Sequence, residues 1–128
     1  NMKKIVALLY HEKKWQSEEN IRERYESSII PGAWETLSAA RLRSPVHQVR
    51  STTEDFVKQL SQMTVPLLIM SCAHDPLNQG DWDVNFQKIV PGSQVHRFKH
   101  SSHEPQIEET QEFNRVVTEF LLSEESVS

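Results

Sequence analysis

The chain is poor in the residues that staple and punctuate proteins. It holds one cysteine, Cys72, so neither an internal disulfide framework nor a metal cage of cysteines alone can form, and a reducing, cytoplasmic setting is the expectation. It holds three glycines, Gly32, Gly80 and Gly92, where average usage of about 7% would give roughly nine. Gly-rich phosphate loops are thereby excluded. Long apolar runs are also missing. The run Ile5 to Tyr10 behind Lys3 and Lys4 is shorter than the roughly 7–15 residues of a secretory core and far short of the ~20 that cross a bilayer, so no membrane partner is expected. Basic clusters are absent as well: 14 Lys and Arg stand against 18 Asp and Glu, a net charge of −4. Nothing supplies the electrostatic footprint that nucleic acid requires.

What remains is 128 residues, 37% hydrophobic and 25% charged, the make-up of one soluble domain or part of a larger one. The punctuation is local, at Pro31-Gly32, Ser44-Pro45, Val65-Pro66, Asp75-Pro76, Pro91-Gly92 and Glu104-Pro105. The first half reads as helical. Ser17 is placed to cap a helix that carries Ile21, Tyr25 and Ile29 up to Pro31-Gly32. A weaker helical stretch holds Trp34 and Leu37 up to about Arg43, and Ser51-Thr52-Thr53-Glu54 reads as a capping box before Phe56, Val57 and Leu60.

The second half reads as strand, helix, strand, helix. Val65 to Met70 is a continuous apolar run, the pattern of a strand covered on both faces in a parallel sheet, ending in small and polar residues at Ser71 to Asp75. Trp82, Phe86, Ile89 and Val90 make an amphipathic helix stopped by Pro91-Gly92. Ser93 to Phe98 is half polar, as an edge strand can be, and the segment between the two strands is long enough for a parallel crossover. Phe113, Val116, Val117, Phe120 and Leu121 define a last helix, with Thr110 as a candidate cap and Glu108, Glu109 and Glu112 near its positive end.

Neighbouring parallel strands bring the loops at their C-terminal ends together, which is where α/β proteins place ligands. Asp75 follows the first strand and His103 the second, so the topology can deliver a carboxylate to an imidazole and orient it as a general base. The plainer reading is a turn aspartate before proline and a solvated loop histidine. Other groups offer chemistry too. His96, His100 and His103, with His74 nearby, are a candidate zinc set, weighed against unrelated surface histidines because their spacing matches no familiar ligand motif. Ser101 and Ser102 adjoin His103 but neighbours in a loop seldom share a productive bond, and Cys72 reads as a small core residue rather than a reactive thiol. Trp15, Trp34 and Trp82 are candidates to line an apolar substrate pocket, and Trp34 and Trp82 are first of all packing residues.

The succession Val65-Pro-Leu-Leu-Ile-Met-Ser-Cys-Ala-His-Asp75, Ile89-Val-Pro-Gly-Ser, His103-Glu-Pro with Glu108, Phe113-Asn114 and Phe120-Leu121-Leu122 resembles the C-terminal end of α/β-hydrolase-fold enzymes over about residues 51 to 122. The resemblance implies an α/β fold, here a C-terminal portion with a helical first half and a parallel strand pair. It implies Asp75 as triad acid and His103 as triad base, a cap-like helical segment over residues 1–50, and the C-terminal part of the hydrolase core over 51–128. It implies a serine-type hydrolase of an ester, amide or other small acyl substrate, with no metal or organic cofactor. The sequence departs from that family where no serine is flanked as G-x-S-x-G and no glycine-containing oxyanion loop occurs, and where Ser101 and Ser102 precede His103 in place of glycine. The chain alone is therefore expected to be inactive. A homo-oligomer is expected, with strand swapping as one form of it, through the run Ile5 to Tyr10 or the open edge of Val65 to Met70. A non-catalytic association module derived from a hydrolase is the alternative.

Overall fold

The structure, a computed structural model, describes residues 2–36 and 53–123. In chain order these form helix α1 (Met2–Leu9), a 3-10 turn (Lys13–Gln16), α2 (Glu18–Ser28), α3 (Thr53–Ser61), strand β1 (Leu68–Cys72), α4 (Trp82–Ile89), β2 (Gln94–Phe98), a short α5 (Pro105–Glu108) and α6 (Thr110–Leu122). Residues 33–36 are also helical. Leu37 to Arg43, the proposed box residues Ser51 and Thr52, and most of the 1–50 segment's second part lie outside the described residues.

The two strands pair in parallel, Leu68 opposite Gln94 through Cys72 opposite Phe98. Both faces are covered. On one, Ser71 and Arg97 face Asp83 of α4; on the other, Phe98, 1% exposed, stacks on Phe113 of α6 at 6.1 Å. Ser17 caps α2 as expected, accepting from the Asn20 N–H at 3.2 Å. Pro91 and Gly92, the latter at φ 96, turn the chain from α4 into β2.

Five expectations change. β1 begins three residues beyond Val65, because Pro66 has no N–H to give a ladder, and Val65 is exposed. Its burial alternates, with Ile69 and Ser71 buried and Leu68, Met70 and Cys72 half-buried, instead of being complete on both faces. The run Ile5 to Tyr10 is largely helical, burying Val6 and Tyr10, so it provides no swapping strand. Thr110 does not cap α6: its hydroxyl donates back to the carbonyls of Gln106 and Ile107, and the cap position falls to Glu109. The stripe on α2 is present but unburied, with Tyr25 and Ile29 exposed, as is Trp34.

Candidate active site

The loops after β1 and β2 are stitched together by backbone bonds. Ala73 N–H donates to Phe98 O at 2.9 Å and His74 N–H to Ser101 O at 3.2 Å, extending the parallel ladder beyond the strands. That continuation carries Asp75 and His103 to one place: Asp75 Oδ2 lies 2.9 Å from His103 Nδ1. A carboxylate can only accept, so the Nδ1 carries the proton. Nε2, on the opposite side of the ring, makes no hydrogen bond among the described residues, and the His103 side chain is 40% exposed against 7% for Asp75. A buried acid thus holds a part-exposed imidazole.

The turn reading of Asp75 is also true. Its Oδ1 accepts from the Leu77 N–H at 2.9 Å and its Oδ2 from Asn78 Nδ2 at 3.0 Å. Burial by itself would raise the Asp75 carboxyl, but the bonds from His103, Asn78 and the Leu77 N–H outweigh it and hold the group below the ordinary aspartate value. The turn therefore fixes the carboxylate in its ionised form, aimed at the ring.

The loop bearing His103 is anchored by two glutamates read from sequence as helix-end charges, Glu108 also as part of the hydrolase resemblance. Glu108, buried, accepts the Ser102 N–H and the Glu12 N–H, each at 2.7 Å, tying the loop to the segment after α1. Glu109 accepts the His100 N–H at 2.9 Å and the Ser101 hydroxyl. Ser102 Oγ donates towards Leu8 O at 3.0 Å and His74 O at 3.2 Å. Both serine hydroxyls are committed and buried, which leaves neither as a nucleophile. No described residue other than glycine has positive φ, so the serines before His103 fit this loop without backbone strain.

The remaining candidates disperse. Among the described residues no group of three or more His, Cys, Asp or Glu converges as a metal site. His74 stacks on His11 at 3.7 Å, while His96 packs edge-on to Phe98 and approaches Glu112 at 3.3 Å. Burial pushes the Cys72 thiol up to about 11, the character of an inert core group. Trp34 borders an apolar-walled cavity of about 720 Å³ with Met2, Ile5, Tyr10, Arg24 and Ile107, and Trp82 borders a mainly polar one of about 380 Å³ beside Asp75 and Arg97. The Trp15 indole N–H is buried without a partner.

A parallel pair sandwiched by helices, with an acid after one strand and a histidine after the next, is part of an α/β-hydrolase fold. The comparisons agree and sharpen this. No protein-family model matches the chain. It is similar to the 2-hydroxymuconate semialdehyde hydrolase of Pseudomonas putida, 27% identical over 124 residues, covering 94% of this chain and 43% of that protein. It is similar also to the 2-hydroxy-6-oxo-2,4-heptadienoate hydrolase of Pseudomonas putida F1, 26% identical over 128 residues, covering 98% of this chain and 45% of that protein. The meta-cleavage product hydrolase CumD of Pseudomonas fluorescens IP01, solved as a complex with acetates, matches with a TM-score of 0.69 and 27% identity over 94% of this chain and 44% of that one. Its relatives are hydrolases, and the chain spans less than half the length of each. No described helix is long and apolar enough to cross a membrane.

Proposed function

We propose that the chain is the acid-and-base portion of a serine-type hydrolase acting on a small acyl substrate, with Asp75 and His103 as two members of a Ser-His-Asp triad. One observation carries this reading: the 2.9 Å bond from the Nδ1 of a part-exposed His103 to an ionised, buried Asp75. In that arrangement His103 takes the serine proton through Nε2 and returns it to the leaving group. Asp75 holds the tautomer and stabilises the imidazolium. The named substrates of the similar proteins, 2-hydroxymuconate semialdehyde and 2-hydroxy-6-oxo-2,4-heptadienoate, make a small oxo-acid the first substrate class to try. No metal or organic cofactor enters this mechanism. Residues 1–50 belong to it as a cap and 51–128 as core.

A base and its orienting acid lack the oxyanion donors and nucleophile that do most of the work, so the chain by itself is expected to be silent. With p-nitrophenyl acetate it should turn over no faster than an equal concentration of free imidazole. Turnover well above that level, abolished by His103→Ala, contradicts the reading. The absence of G-x-S-x-G from these 128 residues also supports a second reading, an association module retaining an ancestral pair. The reading frame ahead of Met2 separates the two: G-x-S-x-G on a strand-to-helix pattern decides for the enzyme, and a stop codon without it for the module. In either case the edge of β1 that is unpaired among the described residues supports a homo-oligomer as the working state.

A further inference from the structure

Taking His103 as the base, we propose that Arg24 of α2 is a positioning residue for it, acting through Glu104 and Tyr10. Glu104 directly follows His103 in the chain. It occupies the cap position of α5, yet its side chain makes no capping bond. Instead its carboxylate crosses to the N-terminal segment. Arg24 Nη2 donates to Glu104 Oε1 at 2.5 Å and to Tyr10 Oη at 2.5 Å, and Tyr10 Oη donates to Glu104 Oε2 at 3.1 Å, closing a three-member ring of polar contacts. The Arg24 guanidinium also lies over the Tyr10 ring, 5.2 Å from its centre.

Three features separate this cluster from an ordinary surface ion pair. Its members are 80 and 94 residues from Glu104 in sequence, so it ties distant parts of the chain. It is withdrawn from water, with Tyr10 2% exposed and the Glu104 and Arg24 side chains 15% and 31%. Such shielding strengthens each contact relative to a solvated pair. It also completes the restraint on the base. Before the ring, Ser102 and the His103 N–H are fixed to Glu108, Leu8 O and Leu9 O, all by backbone or loop bonds. After the imidazole, the Glu104 carbonyl accepts from the Ile107 and Glu108 N–H groups at 3.0 and 3.1 Å, and the Glu104 side chain adds the tie to the N-terminal segment. The His103 ring itself is held by Asp75, so its aim depends on those two flanks. Where His103 points is then set in part by α2, a helix of the proposed cap, and displacement of that helix slackens the base.

The Nδ1 proton shared with Asp75 reports this directly. Protein carrying ¹⁵N-histidine should show that proton as a downfield resonance, assigned by its loss in Asp75→Asn. Its exchange with water is then measured by saturation transfer. Arg24→Ala and Glu104→Ala should each speed that exchange roughly tenfold or more, because they free the flank that keeps the ring on its acid. Arg24→Lys should retain most of the protection, since a single Nζ can bridge the two oxygens that the single Nη2 now bridges. A Val116→Ala protein with an equal loss in melting temperature should leave the exchange unchanged. Unchanged exchange in folded Arg24→Ala overturns the positioning role. If that variant does not fold, the near-isosteric Glu104→Gln and Tyr10→Phe decide by the same readout. Failure of the base itself looks different: no such proton in the parent, or its survival in Asp75→Asn, removes the acid–base pair and the role of Arg24 with it.

Discussion

Two buried aspartates sit at the C-terminal ends of the same strand pair and have opposite fates. Asp83, on α4, is used up. Arg97 grips it through Nε at 2.9 Å and Nη2 at 2.5 Å, the Ser71 hydroxyl donates to it at 2.5 Å, and the Val84 N–H adds a fourth bond at 2.8 Å. Those bonds, Arg97 first, hold its carboxyl far below the ordinary range against the opposing effect of burial. Asp75 is also ionised and bonded on both oxygens, but its charged face is presented to a half-exposed imidazole rather than to a fixed cation. Saturation of a buried charge by a permanent cation makes a strut. Pairing with a titratable ring whose other nitrogen is open makes a group that can move a proton.

The comparison breaks most visibly at the strut. Arg97→Met strands a carboxylate that is 1% exposed and should give the largest loss of stability in urea unfolding among these variants, as an uncompensated buried charge does. Asp83→Asn should cost less, because the abandoned Arg97 side chain, 44% exposed, returns to water. An effect of Asp83→Asn equal to that of Arg97→Met would show that the cation, not the burial, dominates.

Acid sharpens the contrast next. Both carboxyls are lowered in the folded state, so each contributes stability that is present above the unfolded value near pH ~4 and is lost as pH falls through the folded one. Melting temperature should therefore fall steadily below about pH 4. Asp83→Asn should flatten that slope more than Asp75→Asn, because the larger depression belongs to Asp83. A steeper dependence on Asp75 would reverse the assignment of strut and site.

Smaller still is the effect at the base. His103→Ala removes a side chain that is 40% exposed and should shift stability by within about 1 kcal/mol. A loss like that of Arg97→Met would make His103 a structural residue. Dilution tests the proposed oligomer: the midpoint of thermal unfolding should fall on going from high to low micromolar protein, and a midpoint that does not move, with a monomer by light scattering, removes the β1 edge as an interface.

The same contrast explains what could be read before the fold was known. Helices α4 and α6 were legible because Trp82, Phe86 and Ile89, and Phe113, Val116 and Phe120, recur at helical spacing, and β2 because it is short and bounded by Gly92. The meeting of Asp75 with His103 was legible because parallel pairing alone brings the ends of β1 and β2 together. The start of β1 was not, since an apolar run hides where hydrogen bonding begins unless the missing N–H of Pro66 is counted. Nor was the helix at Met2–Leu9, whose apolar residues fit either a helix or a strand at that length. Glu104, Glu108 and Arg24 gave no local sign: each acts across 80 or more residues, or against backbone groups, and composition carries no trace of such contacts.

The central claim is that Asp75 and His103 are the acid and base of a serine hydrolase, and activity with the serine in place tests it most directly. A polypeptide in which this chain follows a G-x-S-x-G segment in its natural reading frame should hydrolyse a small oxo-acid or p-nitrophenyl ester. His103→Ala and Asp75→Asn should each lower its kcat by about 10⁴-fold, with the melting temperature nearly in place in His103→Ala. Full activity in folded His103→Ala would contradict the account.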